Sequence, residues 1–164
     1  LAFESIFYDK YFEVCKTAIK EQDPQVLYMG CRFAYDAKWV NDTVIMSAAK
    51  YCDVVSFNLY RKSVADFALP KGCPDKPVII GEFHFGSADC GVFGGGLVEG
   101  ASLADCAKML ENYLSCAVKN PQIVGAHWFQ YVNEPVSGRS DGENYNIGLV
   151  DICDTPKNEL TYIF

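Results

Sequence analysis

A run of Val78, Ile79 and Ile80 leads through Gly81 into a carboxylate, Glu82, which is followed by Phe83, His84 and Phe85. A solvent-facing acid needs no such setting. A carboxylate at the end of a buried strand, between apolar walls, can act as a nucleophile if a hydrogen-bond donor keeps it ionised and aimed. Tyr60 ends the preceding apolar run, "DVVSFNLY", and is the natural donor. Read as structure alone, Glu82 is a surface acid or half of an ion pair, and Tyr60 is a core tyrosine.

Other unusual residues gather at comparable places. Trp128 follows "QIVGAH" and can present a flat face for stacking, although a core position would suit it too. The two histidines of the chain, His84 and His127, both fall beside strand ends, and ligand-contacting or orienting roles are expected for them. No metal is expected, because His84, His127 and Glu82 show no i, i+2 or i, i+4 ligand pair with a third partner. The glycines of "GVFGGGLVEG" lack the spacing of a dinucleotide or phosphate loop, so this segment reads as a mobile loop and no cofactor is implied.

These residues need a scaffold. Apolar residues at helical spacing (Ile6, Phe7, Tyr11, Val14, Cys15, Ala18, Ile19) predict a helix over 3–21, stopped by Asp23-Pro24. A strand is expected over 25–33. A loop holding Tyr35 and Trp39 follows, then a helix over 42–52 capped by Asp42 or Thr43. Strands are expected over 53–60 and 77–83, a helix over 102–119, a strand over 122–131, and a closing helix. Alternating strands and helices with near-continuous apolar strands imply a parallel sheet covered by helices. The polar residues sit at the C-terminal strand ends: Arg32; Asn58 and Tyr60; Glu82 and His84; His127, Trp128 and Gln130. Open doubly wound sheets and (β/α)8 barrels both place ligands there. Contributions from four strand ends favour half of a (β/α)8 barrel, as a single partial domain over 1–164.

Composition narrows the function classes. With 164 residues, half of them apolar, the chain can build a globular core. A net charge of −7 argues against nucleic acid. No apolar run approaches the roughly 20 residues of a membrane span. The eight cysteines include no C-x-x-C pair, and most sit in apolar patterns where a thiol behaves as a small hydrophobe. Cys73 and Cys90 lie in loops, where pairing stays open. The chain begins inside a helical pattern, so a preceding segment is expected.

The stretches "CDVVSFNLY", "VIIGEFHFG", "IVGAHWFQY" and "DGENYNIGLVDICDTP" resemble the last four β/α units of retaining glycoside hydrolases of clan A, a (β/α)8 clan. Their wording is most similar to β-agarase- and β-porphyranase-like enzymes of the family 86 type. That resemblance implies a β-glycosidic bond of an algal galactan such as agarose or porphyran as the target, and extracellular or periplasmic action. Glu82 would be the nucleophile and Tyr60 would orient it. Trp128 would line the subsite next to the scissile bond, and Gln130, Asn144 and Tyr145 would contact substrate. Arg32 and Arg139 could meet sulfate or carboxylate groups, or serve as surface ion pairs.

A retaining glycosidase needs two carboxyl groups about 5 to 5.5 Å apart. In the clan, the acid/base glutamate follows an asparagine at the end of the fourth strand, and these residues are expected to begin after it. Asn133-Glu134 imitates that pair but follows the strand of Trp128, so Glu134 reads as a solvated loop acid. The chain alone is then expected to be inactive, with open sheet edges that invite self-association. The alternative reading is a carbohydrate-binding barrel fragment without catalysis.

Overall fold

The structure, a computed structural model, describes residues 2–34, 40–89 and 92–164. Tyr35, Trp39 and Cys90 lie outside the described residues, while Cys73 carries a free thiol.

The first apolar run forms α1 (Ala2–Gln22). It stops at Asp23-Pro24, since the proline ring disfavours helical geometry in the residue before it. Of its apolar residues, Phe12 is buried over Gly30, whereas Ile6, Phe7, Tyr11, Val14 and Ile19 remain exposed. The expected strand over 25–33 shrinks to β1 (Arg32–Ala34). Gly30, at φ +62°, interrupts the extended run, and Tyr28 is drawn aside by a reciprocal pair of bonds with Asp53. Helix α2 (Asp42–Tyr51) is capped by Asn41 rather than by Asp42 or Thr43: the Asn41 Oδ1 accepts from the Val44 N–H at 3.1 Å. That bond satisfies one of the orphan amides of the first turn.

β2 (Val55–Asn58), β3 (Val78–Phe83) and β4 (Ile123–Trp128) complete a parallel four-stranded sheet in the order β1-β2-β3-β4. Its first register sets Arg32 opposite Ser56, Phe33 opposite Phe57 and Ala34 opposite Asn58. Helix α3 (Leu103–Lys119) connects β3 to β4, as a parallel crossover requires. The Ser102 Oγ caps its first turn by accepting from the Asp105 N–H. A single turn, α4 (Asn158–Thr161), closes the chain. No helix among the described residues is long and apolar enough to cross a membrane.

The chain divides into two units. The first comprises Leu1–Leu59, Asp66–Gly81 and Asn120–Gly125. Its core sets Phe57 edge-on to Phe67 and beside Phe33, with Ile45, Ala48 and Cys52 of the α2 region buried. The second comprises Tyr60–Ala65, Glu82–Lys119 and Ala126–Phe164. Here Phe83 stacks on Tyr113 of α3 with centroids 4.3 Å apart, and Phe85 packs edge-on to the same ring. Each such buried ring contributes on the order of 2 kcal/mol relative to exposure.

The segment 92–100, expected to be mobile, is hydrogen-bonded in place. The Gly86 N–H donates to Val98 O, the Gly100 N–H to Gly86 O and the Asn146 N–H to Gly94 O. Gly86 serves the close approach of this segment: a Cβ there would strike the backbone of Gly95 and Asn146.

Candidate active site

Glu82 sits one residue before the end of β3, half-buried, and its Oε2 accepts a 2.7 Å hydrogen bond from the Tyr60 hydroxyl. Alternation along the strand separates its roles. Phe83 and Phe85 turn onto Tyr113 of α3, which leaves Glu82 and His84 on the opposite side. There Tyr60, Glu82, His84, Leu97, Phe129, Arg139 and Glu143 line a cavity of about 280 Å³. All seven belong to the second unit. A carboxylate held by a phenol at the mouth of a small cavity is chemically suited to nucleophilic attack.

The aromatic wall of this cavity is Phe129, not Trp128. The Trp128 indole is directed into a cluster with Phe83, Phe85 and Phe164, and its Nε1–H donates to Ile147 O at 2.8 Å. With three rings around it and its donor occupied, Trp128 packs rather than lines the cavity. His127 is exposed and stands outside the cavity lining, as expected for the neighbour of an inward-packed strand residue. Two adjacent aromatics at a strand end can lie on opposite faces, and Phe129 is the one that lines this cavity.

His84 is buried, and both ring nitrogens are engaged by backbone. Nδ1 lies 3.1 Å from Phe129 O, and Nε2 accepts from the Leu97 N–H at 2.8 Å. Burial pushes the imidazole down to about 4, against the pull of the Phe129 carbonyl. Both nitrogens of this expected substrate contact are thus held by backbone groups.

Arg32, in the first unit, donates from Nη1 to Gly81 O at 3.2 Å, and its stem fills the space that a Cβ at Gly81 would need. Glycine at 81 thus accommodates Arg32 rather than a ligand. Asn58 ends β2 in that same unit. Gln130 is half-buried and is not among the cavity-lining residues. Asn144 and Tyr145 lie against Gly94, and Tyr145 also packs edge-on to His84 at 6.1 Å, so both brace the loops around the cavity.

Glu134 is not a solvated loop acid. It is fully buried, accepts from Arg139 Nη1 at 3.0 Å and from the Tyr145 N–H at 2.7 Å. Arg139 meets Asp141 and Glu143 as well, at 2.6 and 3.4 Å, and lies over the Phe129 ring. One guanidinium thus serves three carboxylates and leaves a local excess of negative charge, which does not favour sulfate there. Burial, and then the Glu134 charge, raise the Glu143 carboxyl above its usual range. Behind this loop, buried Lys157 donates to the Oδ1 atoms of Asn133 and Asn146, and Asn146 reaches Ser87 O. Leu97, Phe129, Glu134 and Glu143 were missed as cavity residues or braces. The one sequence signal was the pairing of Glu134 with Arg139 five residues on.

No family model matches the sequence. β-Agarase B of Vibrio sp. (strain JT0107) is 48% identical over 152 residues, which cover 90% of this chain and 16% of the relative. The chain resembles a segment of a β-agarase. A solved exo-β-agarase is 43% identical, with a TM-score of 0.89 over 97% of this chain and 22% of that agarase. A further structure, of a protein named PfGH50B, gives 40% identity and a TM-score of 0.89 over 97% of this chain and 22% of that one. The likeness to agarases stands, and that to the family 86 type is replaced by proteins carrying the GH50 name. The chain spans about a sixth of the length of the curated agarases it matches.

Proposed function

We propose that this chain is part of a glycoside hydrolase that cleaves β-linkages in an agarose-type galactan with net retention. The observation that carries the reading is the Tyr60–Glu82 hydrogen bond at the mouth of the cavity. The agarase likeness along nearly the whole chain supports it. On this reading the four β/α elements are the second half of a (β/α)8 barrel.

Glu82 attacks the anomeric carbon while a general acid protonates the leaving oxygen, and water then opens the glycosyl-enzyme. Tyr60 holds the carboxylate in its attacking orientation. Phe129 offers a platform for the apolar face of the sugar. The general acid is supplied by a part of the protein beyond these residues, so the 164-residue chain by itself is inactive. The substrate, a polymer, places the reaction outside the cytoplasm.

Trapping the full-length protein with an activated 2-deoxy-2-fluoro glycoside and mapping the label by mass spectrometry tests this reading. A label on Glu82 is expected. Labelling at any other carboxylate removes the assignment.

A further inference from the structure

His84 has a protonation state that its partners dictate. The Leu97 amide can only donate, so Nε2 must be the bare acceptor, and the ring proton then sits on Nδ1, facing the Phe129 carbonyl. Leu97 and Phe129 are both walls of the Glu82 cavity. We infer that His84 is a positioning residue, a neutral imidazole that pins the Leu97 and Phe129 walls to one another, and that its protonation releases the Leu97 wall.

The surrounding geometry is built for this contact. Gly96 lies at φ +90°, and a Cβ there would come 2.7 Å from His84 Nε2, so the loop reaches the ring only as glycine. The imidazole also packs on the Tyr60 ring at 4.7 Å, which couples the clamp to the donor that aims Glu82. A second proton, on Nε2, would face the Leu97 N–H donor to donor.

The titratable and charged groups around the ring are Tyr60 and Tyr145, whose rings it packs against, and Glu82, Glu143 and Arg139 in the shared cavity. The two glutamates favour an imidazolium and Arg139 opposes it. Burial outweighs the pull of the Phe129 carbonyl and sets the release near pH 4. The clamp is therefore closed at neutral pH and opens on the acid side.

Hydrogen exchange of the full-length protein, read by mass spectrometry over residues 92–100 and corrected for intrinsic rates, tests the clamp without any variant. Protection is expected to fall as pH drops from about 6 to about 4, by roughly tenfold for the loss of one such bond. His84→Phe should show that loss already at pH 7. His84→Gln offers Leu97 an uncharged acceptor and should stay protected across the range. In agarose hydrolysis, which rests on the function proposed above, the acid limb of kcat expected for wild type should be shallower in His84→Gln. Unchanged protection on acidification, or an identical acid limb in His84→Gln, overturns the inference. Glu82→Gln is the control: if it hydrolyses agarose, the functional reading fails, while the exchange data still judge His84.

Discussion

The Tyr60 hydroxyl donates to Glu82 Oε2 at 2.7 Å, and the Tyr60 ring rests against His84. One side chain thus touches both the candidate nucleophile and the residue that ties its cavity together. Tyr60→Phe keeps the ring and removes the donor. A hydrogen bond to a charged group contributes about 1.5 to 3 kcal/mol, so kcat should fall roughly ten- to a hundredfold. Glu82→Gln should lower it by roughly a thousandfold or more. Steady-state kinetics on agarose oligosaccharides with the full-length protein checks both, and an active Glu82→Gln removes the assignment.

Trp128 and Phe129 are adjacent, and their substitutions should separate stability from binding. Phe129→Ala removes a cavity wall, so KM should rise, by roughly tenfold for a lost stacking face. Trp128→Ala empties a site between Phe83, Phe85 and Phe164 and should cost about 3 kcal/mol. Thermal melts beside kinetics distinguish the two. A KM effect from Trp128 with unchanged Tm would reverse the assignment.

Buried Glu134 holds Arg139 and the Tyr145 amide together. Glu134→Ala leaves the Tyr145 amide without its acceptor and removes one of the three carboxylates on Arg139, and a loss of about 2 kcal/mol is expected. The effect should appear as a lower melting temperature, with faster hydrogen exchange over 132–146.

Stability should also depend on pH through His84. Its folded value of about 4 lies below the ordinary histidine value of 6.5. Above 6.5 the residue is neutral in both folded and unfolded chains and contributes no pH dependence. Between 6.5 and about 4 the unfolded chain binds the proton more readily, so stability falls as pH falls. The full difference is about 3 kcal/mol. Melting curves of wild type and His84→Gln across this window should converge at neutral pH and separate on acidification.

Gly96→Ala combines a positive φ with a Cβ set against His84 Nε2. A cost of about 1 to 3 kcal/mol is expected, read as a lowered Tm. Gly72→Ala, at φ +87° but in open space, is the matched control for backbone strain alone.

Much of this was legible in the sequence. Helices α1, α2 and α3 and the strand leading to Glu82 follow from apolar periodicity and Pro or Asn boundaries, which are local properties of the chain. The Tyr60–Glu82 pairing follows from two consecutive strands ending side by side. Boundaries were less legible: β1 lost its first residues to Gly30, which sits at positive φ where a Cβ would meet Phe12 and Cys52.

Amino-acid order by itself determined which strands form, that they run parallel, and that their C-terminal ends collect the polar residues. Tertiary structure alone decided that Phe129 rather than Trp128 faces the cavity, that His84 gives both nitrogens to backbone, and that Glu134 is buried. The reason is physical. Secondary structure depends on neighbours within a few residues, whereas a side chain's face, partners and protonation depend on groups brought close by folding. For His84 those groups, Leu97 and Phe129, lie 13 and 45 residues away along the chain.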